Sequence, residues 1–223
     1  SGRVWFSTGT TFSMLYVLAP DQKSIQGFNY FMQQGQSQTP NRILKIYTDR
    51  NNRVWIGSTF MGLSLYNDST NRFTSYTNEP GNGSSLATDF CPAIFQDKHG
   101  LLWVSTVGSG VDFFYPDRNL FVAISKGSPG VLRLPDNWAR AAAEDDNGDL
   151  WLFGGFGIGP SGISQGSYCD LWRYNIATNE WTWMKGYNNL NATGNYGIKG
   201  VESSYNTPGG RWAYTKWKDS NGN

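Results

Sequence analysis

Apolar and polar residues alternate along this chain over stretches of four to six positions, and the stretches end in Gly, Asn or Asp. This is the pattern of half-buried strands joined by tight turns. Around Trp55 the reading gives an inner strand at 42–47, a turn at 49–53, a returning strand at 54–57, a third strand at 62–66 and a fourth at 73–76. The same series recurs at 92–95, 101–105, 111–115 and 120–124, and again at 138–143, 150–153, 171–174 and 181–184. No segment keeps a helical period for more than two turns.

Trp5, Trp55, Trp103 and Trp151 mark the repeat, at spacings of 50, 48 and 48 residues. Asp49, Asp97 and Asp145 each stand six positions before their tryptophan, in DRNNRVW, DKHGLLW and DDNGDLW. Each run is a polar turn feeding an apolar strand, with the acid as a side-chain acceptor that caps the turn. A four-stranded sheet recurring every 40–50 residues or so is a propeller blade, because one small twisted sheet cannot bury its own faces and must stack on neighbours. The expected fold is therefore all-β: a β-propeller of four-stranded antiparallel blades, four in number, in a single domain over 1–223. Three blades run at about 42–76, 90–124 and 137–184. The fourth is split, 211–223 joining 1–31, so that a strand at 211–217 and its turn at 219–223 complete the sheet of Val4-Trp5-Phe6. Such closure removes exposed sheet edges. The competing readings are a piece of a larger ring, or two chains sharing one ring, so monomer and two-chain ring both stay open.

Composition narrows the function classes. With 18 Lys+Arg against 17 Asp+Glu, the formal charge is +1, which offers no clustered basic surface for nucleic acid. No apolar run reaches the length of a membrane span, and no signal peptide is read at the start. Cys91 and Cys169 are too few for a disulfide framework or a thiolate metal site and read as free thiols.

Two family resemblances attach to these residues. The runs TDRNNRVWIGSTFMGLSLYNDSTNRFTSYTNEPGNGSSLATD and FQDKHGLLWVSTVGSGVDFFYPDRNLF, within 41–121, resemble two-component-regulator propeller repeats. That resemblance implies an extracellular or periplasmic sensor part of bacterial hybrid kinases, many of which recognise glycan fragments. Residues 138–223 look instead like kelch repeats of the galactose-oxidase-like propellers, through DDNGDLWLFGGFG, CDLWRYNIATNEWTWMKG and PGGRWAYTKWKDSNGN. The change of style falls at KGSPGVLRLPDN and is read as recombination between blades of two parents, with unequal divergence of the blades of one natural propeller as the alternative.

Catalytic chemistry finds little footing. His99 is the single histidine and sits in the turn Asp97-Lys98-His99-Gly100, so the copper centre of the galactose-oxidase type and multi-histidine zinc sites have too few ligands. A Ser-His-Asp triad would have to use His99, and no nucleophile elbow is read. The acids Asp49, Asp97, Asp145, Asp146 and Asp219 follow the turn period, which suits capping better than a glycosidase pair. Asp145-x-Asn147-x-Asp149 lacks the Gly and bidentate Glu of a calcium loop. No catalytic residue, metal or cofactor is expected.

Ligand binding is expected on the face carrying the second-to-third-strand loops and the inter-blade connections. The candidate residues are Phe60, Phe156, Tyr168, Tyr187, Asn188, Asn189, Tyr196 and Tyr205, which combine flat apolar rings with amide donors and acceptors. The leading function is a non-catalytic module binding carbohydrate or protein. The alternatives are an extracytoplasmic sensor fragment, a scaffold without natural ligand, and a carboxylate-dependent glycosidase or lyase.

Overall fold

The computed structural model describes residues 2–9, 13–30, 42–118, 120–125, 142–159, 164–175, 177–178 and 180–211. Its fifteen strands form four antiparallel sheets in chain order. The first has three strands, β1 (Val4–Thr8), β2 (Met14–Leu18) and β3 (Ile25–Phe28). The second has four: β4 (Ile43–Thr48), β5 (Val54–Ser58), β6 (Leu63–Asn67) and β7 (Arg72–Tyr76). The third is β8 (Ile94–Gln96), β9 (Leu102–Thr106), β10 (Gly110–Phe114) and β11 (Val122–Ile124). The fourth is β12 (Ala142–Glu144), β13 (Leu150–Ile158), β14 (Gln165–Asn175) and β15 (Glu180–Lys185). Among the described residues each strand pairs only with its sequence neighbours, as in up-and-down propeller blades.

Successive side chains on a strand point to opposite faces, so each central strand feeds two cores. Ile56 packs with Leu15, Val17 and Phe28 between the first and second sheets, while its neighbour Trp55 packs with Ile94, Leu102 and Phe114 between the second and third. Trp103 repeats the arrangement one blade on, meeting Leu150 and Tyr174 of the fourth sheet. Trp5 lies against the first of these cores, its ring centroid 4.8 Å from that of Tyr66 in an edge contact. The tryptophan of one blade is thus the plate on which the next blade rests.

In the second, third and fourth blades one carboxylate holds the tryptophan. Asp97 accepts the Trp103 indole N–H at 2.8 Å, and its other oxygen accepts the backbone N–H groups of His99 and Leu101, each at 2.9 Å. Asp49 does the same for Trp55 (3.0 Å), Asn51 (2.9 Å) and Arg53 (2.9 Å), and Asp145 for Trp151 (2.9 Å), Asn147 (2.9 Å) and Asp149 (3.0 Å). Burial pushes the Asp49 carboxyl up, but the Trp55 indole and the Arg53 amide and guanidinium outweigh it and hold it below the usual carboxylate range. The Trp151 indole, with the amides of Asp149, Asn147 and Gly148, does likewise for Asp145.

The fourth sheet departs from the expected pattern. Between the expected second strand at 150–153 and third strand at 171–174, the described residues extend both: β13 runs on to Ile158 and β14 begins at Gln165. A register shift between Phe153 and Gly155 absorbs the extra residue, and the positive φ of Gly154 (59°) and Gly155 (131°) lets the ladder resume beyond it. The expected strand at 211–217 and turn at 219–223 lie, beyond Arg211, outside the described residues, as do 138–141 of the expected inner strand of the last blade. Arg211 itself docks on the fourth sheet, its N–H donating to Tyr168 O at 3.1 Å and its carbonyl accepting from Gly155 N at 3.4 Å.

Two predictions follow from the Asp–Trp geometry. Asp97→Ala strands a buried indole N–H and two amides, so it should cost about 2–4 kcal/mol, read as a lowered denaturant midpoint at unchanged slope. The depressed carboxyls of Asp49 and Asp145 bind fewer protons folded than unfolded in acid. Their contribution is complete above about pH 4 and is lost as pH falls further. Thermal midpoints that hold level on acidification from about pH 4 to about pH 2 would contradict this.

Candidate ligand-binding face

The turns from second to third strand and the connections between blades emerge on one side of the sheets. The turn between β5 and β6 places Phe60 at its tip, 61% exposed. Gly62 opens β6 at φ 61°, and a Cβ there would strike the carbonyl of Tyr76, so the backbone approach requires glycine. The linker 77–93 then crosses from the second sheet to the third. Its backbone is tied to the turn of the second sheet by Gly62 N–H to Asp89 O (3.0 Å) and Cys91 N–H to Ser58 O (2.9 Å).

The loop 186–211, after β15, is the largest feature on this side. Asn191, at φ 53°, clamps its base: its side-chain oxygen accepts Ser167 N–H at 2.9 Å, and its own N–H donates to Ser167 O at 2.7 Å. A second tie runs across the loop, where Asn195 and Thr207 exchange backbone bonds of 2.8 and 2.7 Å. Asn206 Nδ2 reaches Val201 O at 3.1 Å, and Gly210 N reaches Ala192 O at 2.8 Å. On this tied frame Tyr196 and Tyr205 stand 66% and 79% exposed, with Ile198 and Val201 exposed between them.

Of the residues expected to bind, Tyr187, Asn188, Asn189, Tyr196 and Tyr205 lie exposed on this one loop, and Tyr196 receives the Arg211 guanidinium on its hydroxyl at 3.4 Å. Phe156 and Tyr168 are instead half-buried on the extended β13–β14 hairpin, where the Tyr168 hydroxyl donates to Ile158 O at 2.8 Å. Phe60 sits on a different blade, the second. The sequence also contains a spacing that the reading passed over: Gly162-Ile163-Ser164-Gln165-Gly166 has the G-x-S-x-G form. It makes no nucleophile elbow, because Ser164 closes a hairpin, accepting Gly159 N–H on its carbonyl at 2.8 Å, and strand β14 follows rather than a helix.

The sequence reading also missed a buried polar pair on the third sheet. Asp112 on β10 is fully buried; its Oδ2 accepts Ala87 N–H from the linker at 2.7 Å, and its Oδ1 has no partner among the described residues. Thr106 on β9 is equally buried, and its hydroxyl is likewise unpartnered among them. Burial pushes the Asp112 carboxyl up to about 7 against the opposing Ala87 bond. The available signal was an acid between apolar neighbours, Val111-Asp112-Phe113, where the preceding blade has Leu63-Ser64-Leu65.

Comparison with known proteins places the fold. Residues 37–60 match the two-component regulator propeller family, a span centred on β4 and β5 and shorter than the 41–121 of the sequence resemblance. The extracellular domain of a hybrid two component system from B. thetaiotaomicron matches at 21% identity and a TM-score of 0.63, over 86% of this chain and 24% of that one. PorZ, a surface component of the type-IX secretion system of Porphyromonas gingivalis, matches at 16% identity and a TM-score of 0.57, over 82% and 26%. Virginiamycin B lyase from Staphylococcus aureus matches at 14% identity and a TM-score of 0.51, over 82% and 51%. The chain has the β-propeller fold, and it spans about a quarter of the length of the first two of these structures. No curated protein matches the sequence.

The clamp at Asn191 is testable. Asn191→Ala removes a hydrogen bond and leaves a non-glycine residue at positive φ, a local cost of about 1–3 kcal/mol. Native-state tryptic cleavage after Lys199 should accelerate roughly tenfold or more, while the global thermal midpoint moves little.

Proposed function

We propose that this chain is a non-catalytic, ligand-sensing propeller of the extracytoplasmic kind, and that it binds carbohydrate through the loop 186–211. The observation that carries the reading is the pair of exposed aromatic rings, Tyr196 and Tyr205, on a loop tied at its base by Asn191 and across its middle by Asn195 and Thr207. A ring held before the ligand arrives loses little freedom on binding. Tyrosine supplies a flat apolar face for the C–H side of a pyranose, and the amides of Asn188 and Asn189 supply donors and acceptors for its hydroxyls. The regulator-propeller match at 37–60 and the likeness to an extracellular sensor domain support the sensor assignment.

The non-catalytic part rests on how the acids are used. Asp49, Asp97 and Asp145 are committed to their turns and indoles, and His99 is exposed in a turn. A glycosidase needs two carboxyls facing one sugar across a gap of roughly 5–9 Å. The loop offers one acid, Glu202.

The test is a panel of neutral and acidic oligosaccharides screened by thermal shift and followed by calorimetry. A saturable rise of midpoint with one glycan class is expected, with affinity reduced at least about tenfold in Tyr196→Ala and Tyr205→Ala at unchanged unliganded midpoint. Binding that persists undiminished in the double variant would move the site elsewhere. Release of new reducing ends from the bound glycan would make the protein an enzyme.

A further inference from the structure

Asp112 sits where the third sheet meets the linker that leads into it. On β10 it lies opposite Val104 of β9 and Ala123 of β11. Val104 belongs to the core shared with the second sheet, so Asp112 faces that core and the linker crossing its edge. Thr106 is two residues along β9 from Val104, and its side chain therefore leaves the same face as Asp112, as a diagonal neighbour.

The second sheet shows what this register position does. There Ser64 lies opposite Ile56, as Asp112 lies opposite Val104. Its hydroxyl is fully buried and hydrogen-bonded to Tyr30, just after β3, at 2.6 Å and to Ser75 of β7 at 2.7 Å. In both blades, then, the side chain at this position reaches a group that follows the previous sheet. The blade before uses neutral hydroxyls with every polar atom paired. The third uses a carboxyl with one oxygen on the Ala87 amide and the other unpartnered, beside a threonine hydroxyl that is also unpartnered among the described residues.

An ionised carboxylate in that setting has one amide to offset its desolvation, whereas a neutral carboxyl keeps the amide bond and loses the charge. We propose that Asp112 is a proton-controlled latch on the linker 77–93, holding it firmly against the third sheet when neutral and loosening it when ionised. The titratable group coupled to it is Cys91 of the linker, whose thiol is raised by burial first and then by Asp112 and Asp89, while Tyr47 and Tyr76 of the second sheet pack against the same core. β9 presents Val104 and Thr106, and β11 presents Ala123. None of the ion pairs among the described residues includes Asp112.

The direction in pH follows from the raised carboxyl. Between the ordinary carboxylate range near pH 4 and about pH 7, the folded protein binds this proton and the unfolded chain does not, so stability falls as pH rises through that window and levels off above it.

The experiment measures thermal midpoints and intrinsic-rate-corrected hydrogen exchange of residues 85–91 from about pH 5 to about pH 8. The wild-type midpoint should drop by several degrees and exchange in that segment should rise at least about tenfold on the alkaline side, with other segments less affected. Asp112→Asn keeps an acceptor for Ala87 and cannot ionise, and Asp112→Ser installs the residue of the second sheet. Either variant, if it folds, should be level across the window. A level wild-type profile would overturn the proposal, as would a variant that falls in parallel with the wild type. A midpoint at about pH 8 that sodium or calcium restores in the wild type alone would also overturn it, assigning the gap to a cation.

Discussion

Three of the four blades depend on a carboxylate doing two jobs six residues before a tryptophan. One oxygen closes the hairpin between first and second strands by gathering two backbone amides, and the other fixes the indole that the next sheet packs against. Local turn geometry and inter-blade packing are therefore not independent, because the same side chain sets both. Charge-assisted bonds of this kind are among the stronger hydrogen bonds a protein makes, and the Asp97 side chain that accepts them is fully buried. The use of both oxygens also decides what the acids cannot do. A carboxylate already accepting three N–H groups has little capacity left for a sugar, a metal or a proton in transit.

Much of this was legible before any coordinates. The Asp–Trp spacing is a covalent distance, and a hairpin turn converts it into a spatial contact with no help from the rest of the chain. The alternation Trp55-Ile56 likewise dictates that neighbours face different cores, and the structure divides them in that way. Strand ends were less legible. Gly154 and Gly155 look like the end of a strand, yet the positive φ that glycine allows is what a bulge needs to carry β13 on to Ile158. The same residues signal both outcomes, and only the pairing partner, Ser167 across from Phe156, distinguishes them.

The loop and the buried pair were hidden for different reasons. Aromatic and asparagine content pointed to 186–211, but most of the ties that make the loop a frame are backbone bonds, which carry no side-chain signature. Asn191 carries no local signal of its part, which depends on the amide of Ser167, far away in sequence. Asp112 was easy to pass over, an acid between apolar neighbours, because its meaning is relative. It becomes unusual only when the strand register sets it beside Ser64, and when burial and the missing partner of Oδ1 are known.

Comparing the four sheets at that register position shows where the repeat is free to vary. Tyr16 lies opposite Phe6, Ser64 opposite Ile56, Asp112 opposite Val104 and Trp172 opposite Leu152. The Asp–Trp unit, by contrast, recurs in three blades with hydrogen-bond lengths that agree within 0.2 Å. The two positions answer to different demands. The turn and its indole solve a problem internal to the blade, so one solution serves all three. The side chain on the third strand meets whatever connection arrives from the previous blade, and those connections differ in length and course. Neutral hydroxyl bonding satisfies one of them completely, and a half-partnered acid leaves another poised. Variation among these sheets collects in the joints between repeats and the loops above them, while the frame that positions both stays uniform.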